Sequence, residues 1–352
     1  MGKLTRRDFL KAAAAGAGAM TLSALLEACG KVLPTSAPLT NSEASSPGKP
    51  TKASLSHPTG AATEGLPSAT DTSPAPTGTP VPIPDIAVTM GGEPEALVRQ
   101  AVATLGGISA FVPSGANVVV KPNICVAYHT YEYAATTNPW VVGTLVKMCY
   151  EAGAASVKVM DHPFGGTGPE AYKISGIEEQ VKAAGGEMVN MIQYHYVDTK
   201  IPDAVYLKKT KVYDDILNAD VLINVPIAKN HDSSVLTLGM KNLMGAIWIR
   251  ETLHNILHQS IADLNSLLKP QLTVVDAVRI MTRGGPTGGN LSYVQQKDTV
   301  IASRDVVAAD SLATSLFGMK PEDLDYIRIA TSMGLGRSDL QNLNIQVMQL
   351  NA

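Results

Sequence analysis

The sequence predicts a single α/β domain with a largely parallel sheet flanked by helices, carried behind an export signal and a tether. Three observations carry this prediction. Apolar runs of strand length recur at residues 86–89, 117–121, 156–160, 221–225, 272–276 and 299–303. Longer stretches with helical spacing lie between them, at 93–105, 138–152, 251–268, 305–317 and 321–332. Strands alternating with helices at this spacing are the pattern of βα units. With 352 residues, 45% of them hydrophobic, the chain is also large enough for a sizeable core.

Residues 1–29 read as an export signal. Arg6 and Arg7 form a twin-arginine pattern ahead of a small, apolar run at 12–26. That run is too short and too rich in Ala and Gly for a comfortable membrane span. Leu26-Glu27-Ala28-Cys29 resembles a bacterial lipobox, with Glu27 where a small or apolar residue is usual. Cys29 is therefore the expected lipidation site, and the expected location is the outer face of the cytoplasmic membrane or the cell envelope. Export is expected to run through the twin-arginine machinery. Residues 30–84, dominated by Ser, Thr, Pro, Gly and Ala, cannot bury enough surface to offset their ordering entropy. They read as a disordered tether, and the folded domain is expected to occupy 85–352.

Within that domain each element has its own signal. Gly106-Gly107 ends the first helix, and Pro122 closes the strand at 117–121. Asn138-Pro139 supplies an N-cap and a first-turn proline for the next helix, which stops at Gly153. Val142, Leu145, Val146 and Cys149 share one face of it, so Cys149 reads as core. A short helix is expected at 176–184, a short strand at 188–192 and an antiparallel excursion at 206–213. The run 221–225 reads as a buried strand ended by Pro226, which has no N–H to donate.

Net charge is −3 and aromatic residues are 5% of the chain, so neither a basic footprint nor a stacking platform for nucleic acid is present. The three cysteines, Cys29, Cys125 and Cys149, are too few and scattered for a disulfide framework or an iron–sulfur cluster.

Polar residues gather just past the strands. Lys121 and Asn123 follow the second, Asp161 and His162 the third. Lys229 and His231 lie beyond 221–225, with Lys241 and Asn242 further on, and Asp276 closes a later strand. In a parallel sheet these ends share one edge, where ligands bind. Lys121, Lys229 and Lys241, with Asn123 and Asn242, would make a cationic pocket for phosphate or carboxylate. Asp161, His162 and Asp276 are alternative ligands for a divalent metal. The bland reading makes all of them turn residues, since Asp, Asn, Gly and Pro are favoured after strands. His254 and His258 are four apart on an expected helix, a weak metal pattern. The Gly-rich loops at 165–168 and 284–289 match no phosphate-loop fingerprint, and either turn or cradle an anion.

The segments VVVKPN (118–123), 138–161 and DVLINVPIAKNHDSSVLTLGMKNLMGAI (220–247) resemble the bacterial and archaeal domain-of-unknown-function family 362. Residues 258–278 and 303–318 are similar to its second half. Lys229-Asn230-His231 and Lys241-Asn242-Leu243-Met244-Gly245 carry its K-x-H and KN-L-x-G patterns. The family's activity is largely unassigned; some similar proteins carry an appended ferredoxin-like module, for which this chain has no cysteine cluster.

The expected function is action on an anionic small molecule, with or without a metal. Lys121, Lys229 and Lys241 would bind it, His231 would be an acid/base of near-neutral pKa if partly exposed, and Asp161 and Asp276 would orient it or hold a metal. The alternative is a non-catalytic cell-surface protein that captures a ligand or metal. Because Lys229 and Lys241 follow a strand, replacing either is expected to leave the fold intact, unless it pairs with a buried Asp276 or Asp263, in which case its removal costs about 3–5 kcal/mol.

Overall fold

The computed structural model describes residues 82–350 and the short strand β1 (Lys3–Leu4). Cys29 and residues 30–81 lie outside the described residues. The sheet is assembled from β2 (Ile86–Met90), β3 (Asn117–Pro122), β4 (Ser156–Val159) and β5 (Glu187–Met188). A separate antiparallel pair, β6 (Tyr196–Lys200) and β7 (Lys209–Tyr213), precedes β8 (Val221–Val225), β9 (Ile227–His231) and β10 (Val235–Thr237). The long strands β11 (Leu272–Met281) and β12 (Val294–Ser303) and the last strand β13 (Ile345–Gln349) complete it. The order is β1-β13-β2-β12-β11-β8-β3-β4-β5, with β9 joined to β11 and β10. From β11 to β5 all pairings are parallel; β12 runs against both its neighbours, β2 and β11.

Helices cover both faces. Val118 and Val120 of β3 and Val221, Ile223 and Val225 of β8 pack on one side. That core includes α1 (Pro94–Thr104), α2 (Pro139–Glu151), α3 (Gly168–Ile174) and α4 (Ile177–Ala183). Val119, Leu222, Val275 and Ile301 face the other side. After α5 (Asp214–Asn218), the helices α6 (Gly239–Asn242), α7 (Leu257–Leu267), α8 (Val306–Ala313) and α9 (Asp325–Ser332) close that second core. This period-two division is why a strand buried on both faces reads as an unbroken apolar run. Asn138 caps α2 as expected, its Oδ1 accepting from Trp140 N at 3.0 Å.

The structure corrects the reading in several places. Pro226 ends β8, but the chain does not become a loop there. Pro226 O accepts from Asp276 N at 2.8 Å, and β9 resumes pairing with β11 at Ile227. β11 does not stop at Asp276 but continues to Met281. The strand expected at 188–192 shrinks to the tip of β5, and the excursion at 206–213 is the β7 half of the separate pair. The helix expected at 251–268 is broken: residues Glu251–Ile256 form a tight 3-10 turn, and Ile256, at φ −138° and ψ 64°, separates it from α7.

Candidate ligand cavity at the strand ends

A cavity of about 520 Å³ opens beyond the carboxyl ends of β3, β4 and β9. Lys121 is the last residue but one of β3, and parallel register sets it beside Asn224 of β8. Its Nζ is fully buried and donates to Asp161 Oδ1 at 2.7 Å, with Pro122 O at 3.1 Å and Asn242 Oδ1 at 3.3 Å. Asp161 Oδ2 accepts from Ile124 N at 2.6 Å. Both oxygens of Asp161 are thus engaged, and Lys121 is neutralised where it sits. Burial pulls the Lys121 ammonium down and Asp161 pushes it back up. Gly245 lies directly over this ion pair: a Cβ there would collide with Asp161 Oδ1 and approach Lys121 Nζ to 2.7 Å.

Lys229 and His231 alternate along β9, which turns both side chains to the same face. Lys229, 1% exposed, donates to Ala135 O (2.6 Å), Pro286 O (2.9 Å) and Asn123 Oδ1 (3.0 Å). Burial drives its pKa down. Three acceptors match the three N–H bonds of an ammonium, however, and a neutral amine would leave one of them bare. We therefore assign Lys229 as charged. The glycine-rich loop at 284–289 thus holds a lysine through Pro286 O.

Lys241 differs from both. It enters the cavity from α6, half-buried, and among the described residues its Nζ has no hydrogen-bond or ion-pair partner. Its surroundings are cationic as well as partly buried: desolvation first, then Lys229 and Arg250, push its pKa down to about 7. α6 itself is held firmly. Asp310, fully buried in α8, accepts from Gly239 N at 2.6 Å and Met240 N at 2.8 Å. Asn224, the polar residue inside the apolar β8, donates to Gly239 O at 2.9 Å and accepts from Asn242 Nδ2 at 2.9 Å. Asn242 Oδ1 in turn receives Asn123 Nδ2 at 2.9 Å.

His231 is not the near-neutral acid/base that its residue type suggested. It is 8% exposed, and burial, followed by the charges of Lys241 and Lys229, pushes its pKa down to about 3. Its Nδ1 accepts from Ser233 N (3.1 Å) and Ser234 N (3.4 Å), which leaves the proton on Nε2. The ring is a neutral hydrogen-bond donor at physiological pH. Its ordinary pKa near 6.5 means that the unfolded chain binds the extra proton between pH 6.5 and 3 and the fold does not. Stability from this residue is complete above pH 6.5 and is lost as the pH falls toward 3. His231→Gln should flatten the pH dependence of the urea-unfolding free energy over that window by up to about 1.4 kcal/mol per pH unit. An unchanged acid slope would show that His231 titrates normally.

The metal expectation fares differently. His162 lines the cavity, stacked on Trp248 at 5.3 Å, with Arg250 Nη2 3.3 Å from its Nδ1. Asp276 lies elsewhere. Because β11 continues past it, its carboxylate sits inside the sheet, accepting from Asn138 N at 2.6 Å and Val278 N at 3.0 Å. It therefore neither orients His231 nor joins Asp161 and His162. Among the described residues, no group of three or more His, Cys, Asp or Glu side chains could hold a metal ion. The broken helix also separates the histidine pair: His254 lines the cavity, while His258 stacks against Tyr326.

Sequence reasoning missed several lining residues. Cys125 donates toward Pro286 O at 3.4 Å, and Arg250 holds the carbonyls of His162 and Pro163 at 3.0 and 2.8 Å. Thr237, 3% exposed, lines the cavity with an Oγ1 that has no hydrogen-bond partner among the described residues. Asn224, the one polar position in the apolar run of β8, and Asp310, the one charged residue of α8, were the available signals for the residues that fix α6.

Residues 118–315, more than half of the chain, match the model of the domain of unknown function DUF362. The chain belongs to the DUF362 family. Every residue lining the cavity lies within the matched DUF362 segment. Residues 3–23 match the twin-arginine translocation signal, so this DUF362 protein is exported across a membrane by that route. Among the described residues no helix is long and apolar enough to cross a membrane. A similar protein, the thylakoid-associated protein sll1697 of Synechocystis sp., is 25% identical over 255 residues, covering 68% of this chain and 75% of that one. Among solved structures, the lactate racemase apoprotein from Thermoanaerobacterium thermosaccharolyticum aligns at 11% identity with a TM-score of 0.39. That alignment covers 60% of this chain and 53% of that chain. A Thermotoga maritima protein aligns at 13% identity and a TM-score of 0.31, over 68% of this chain and 60% of its own.

Proposed function

We propose that the cavity binds an anionic small molecule carrying a phosphate or carboxylate group, and that the exported chain acts on it there. The observation that carries this reading is Lys241, a cavity amine without a partner beside Lys229 and Arg250. Asp161 is paired with Lys121 and makes no ion pair with Lys241. An anion entering the cavity would relieve the repulsion among the three cations and restore the Lys241 ammonium. Nε2–H of His231 and Oγ1 of Thr237 are further polar groups on the lining. Titration calorimetry with phosphate, oxalate and succinate tests this. Saturable binding of at least one of them, weakening as sodium chloride is raised, is expected; no heat from any would argue against it.

The capture reading gains support from the same geometry, since His231 is neutral and Asp161 is locked in an ion pair. Catalysis on the bound anion falls to Lys241.

The lipid anchor at Cys29 belongs to the same proposal, since it would keep the exported cavity at the membrane surface. Cys29→Ala should release the protein from membranes or leave its precursor unprocessed, by fractionation and intact mass. Processing and location like wild type would refute the anchor.

A further inference from the structure

The cavity contains an amine placed to react. Lys241 Nζ has no hydrogen-bond or ion-pair partner among the described residues, and its lone pair is not occupied by a donor. Lys229 and Arg250 stand near it, and burial reinforces them in disfavouring the ammonium. A lysine kept partly unprotonated by neighbouring cations and desolvation is the activated form of the amine nucleophile. Lys121 and Lys229 are unsuitable, because each has its hydrogens committed to fixed acceptors.

We propose that Lys241 forms an imine with the carbonyl carbon of an oxo acid held in this cavity. The proposal rests on the anion-binding reading and names the substrate class more closely: a carboxylate to answer the cations and an aldehyde or ketone to meet the amine. The unprotonated Nζ attacks the carbonyl carbon to give a carbinolamine. The carbonyl oxygen then leaves as water with the two amine hydrogens, and the C=N bond forms. A proton from solvent converts the imine to an iminium, and the ligand's own carboxylate balances that charge. No oxidant or reductant is required, and hydrolysis returns the ketone.

The test uses the purified full-length chain with pyruvate or glyoxylate at neutral pH, followed by sodium borohydride, which delivers hydride to the imine carbon and makes the link permanent. Intact mass should show one adduct per chain. Trypsin should no longer cleave after Lys241, so the label appears in the peptide running from Asn230 to Arg250. Lactate, which lacks the carbonyl, and acetone, which lacks the carboxylate, should give no comparable adduct. Lys241→Arg should abolish labelling. Independently of any variant, the wild-type labelling rate should level off above about pH 7, where free lysines continue to gain until about pH 10. Labelling spread over surface lysines, labelling that survives in Lys241→Arg, or equal labelling by acetone would overturn the proposal. If pyruvate raises the melting temperature yet leaves no adduct, the imine fails while anion binding stands. If pyruvate, phosphate, oxalate and succinate neither bind nor react, both fail.

Discussion

Asp161→Asn is expected to destabilise the folded domain by about 3–5 kcal/mol, the range for breaking a buried ion pair by removing one partner. Lys121 has no exposure through which water could replace the lost carboxylate, and its remaining neighbours are a carbonyl and an asparagine oxygen. The asparagine would also direct an N–H₂ at one of two donors, Lys121 Nζ or Ile124 N, that now point at oxygens. The double variant Asp161→Asn, Lys121→Met should recover much of the loss, because the stranded charge is then gone. Urea unfolding of wild type and the two variants checks this, and a double variant no more stable than the single one would show that packing around Gly245, not charge, governs the site.

The second large effect is expected at Lys229. Lys229→Met should cost about 2–4 kcal/mol, because each buried acceptor left bare is worth about 1–3 kcal/mol and the cavity readmits water to part of them. Asn123 Oδ1, Ala135 O and Pro286 O would all lose their donor together. The loss should be accompanied by faster proteolysis within residues 284–289, since Lys229 ties that loop to β9. A wild-type melting curve for Lys229→Met would mean that the three carbonyl groups find other donors. Here the structure departs from expectation: position after a strand made Lys229 and Lys241 equivalent, whereas burial separates them into a structural cation and a free one.

That separation shows what was legible in the chain and what was not. The strands were legible because a parallel sheet covered on both faces needs runs such as 117–122 and 221–225, and few other structures do. The convergence of Lys121, Asn123, Asp161, His162, Lys229 and His231 followed from strand polarity, while Lys241 and Asn242 arrive on α6. The pairing partners did not. Whether Asp276 ends a strand or lies within one depends on β12, since Asp276 pairs with Val300 across an antiparallel ladder formed by residues far along the chain. Whether His231 titrates near 6.5 or near 3 depends on how deeply the fold buries it and on two lysines delivered by different elements. Arg250 and Cys125 reach the cavity through irregular segments, for which period and propensity carry no information. The break at Ile256 likewise has no proline or glycine to announce it.

The central claim is that Lys241 is an unsatisfied cavity cation awaiting an anion. Its pKa near 7, against an ordinary 10.5, means that stability is complete above pH 10.5 and is lost as the pH falls toward 7. At pH 7 the ligand-free protein therefore carries a penalty of about 1–3 kcal/mol, once water in the cavity is allowed to screen it. The decisive measurement is a pair of thermal melts at pH 7, wild type and Lys241→Met, each without and with phosphate, oxalate or pyruvate. Lys241→Met should melt higher than wild type without ligand and show no response to any anion, while wild type should rise with at least one of them. A variant that melts lower than wild type, beside a wild type indifferent to all three anions, would contradict the account.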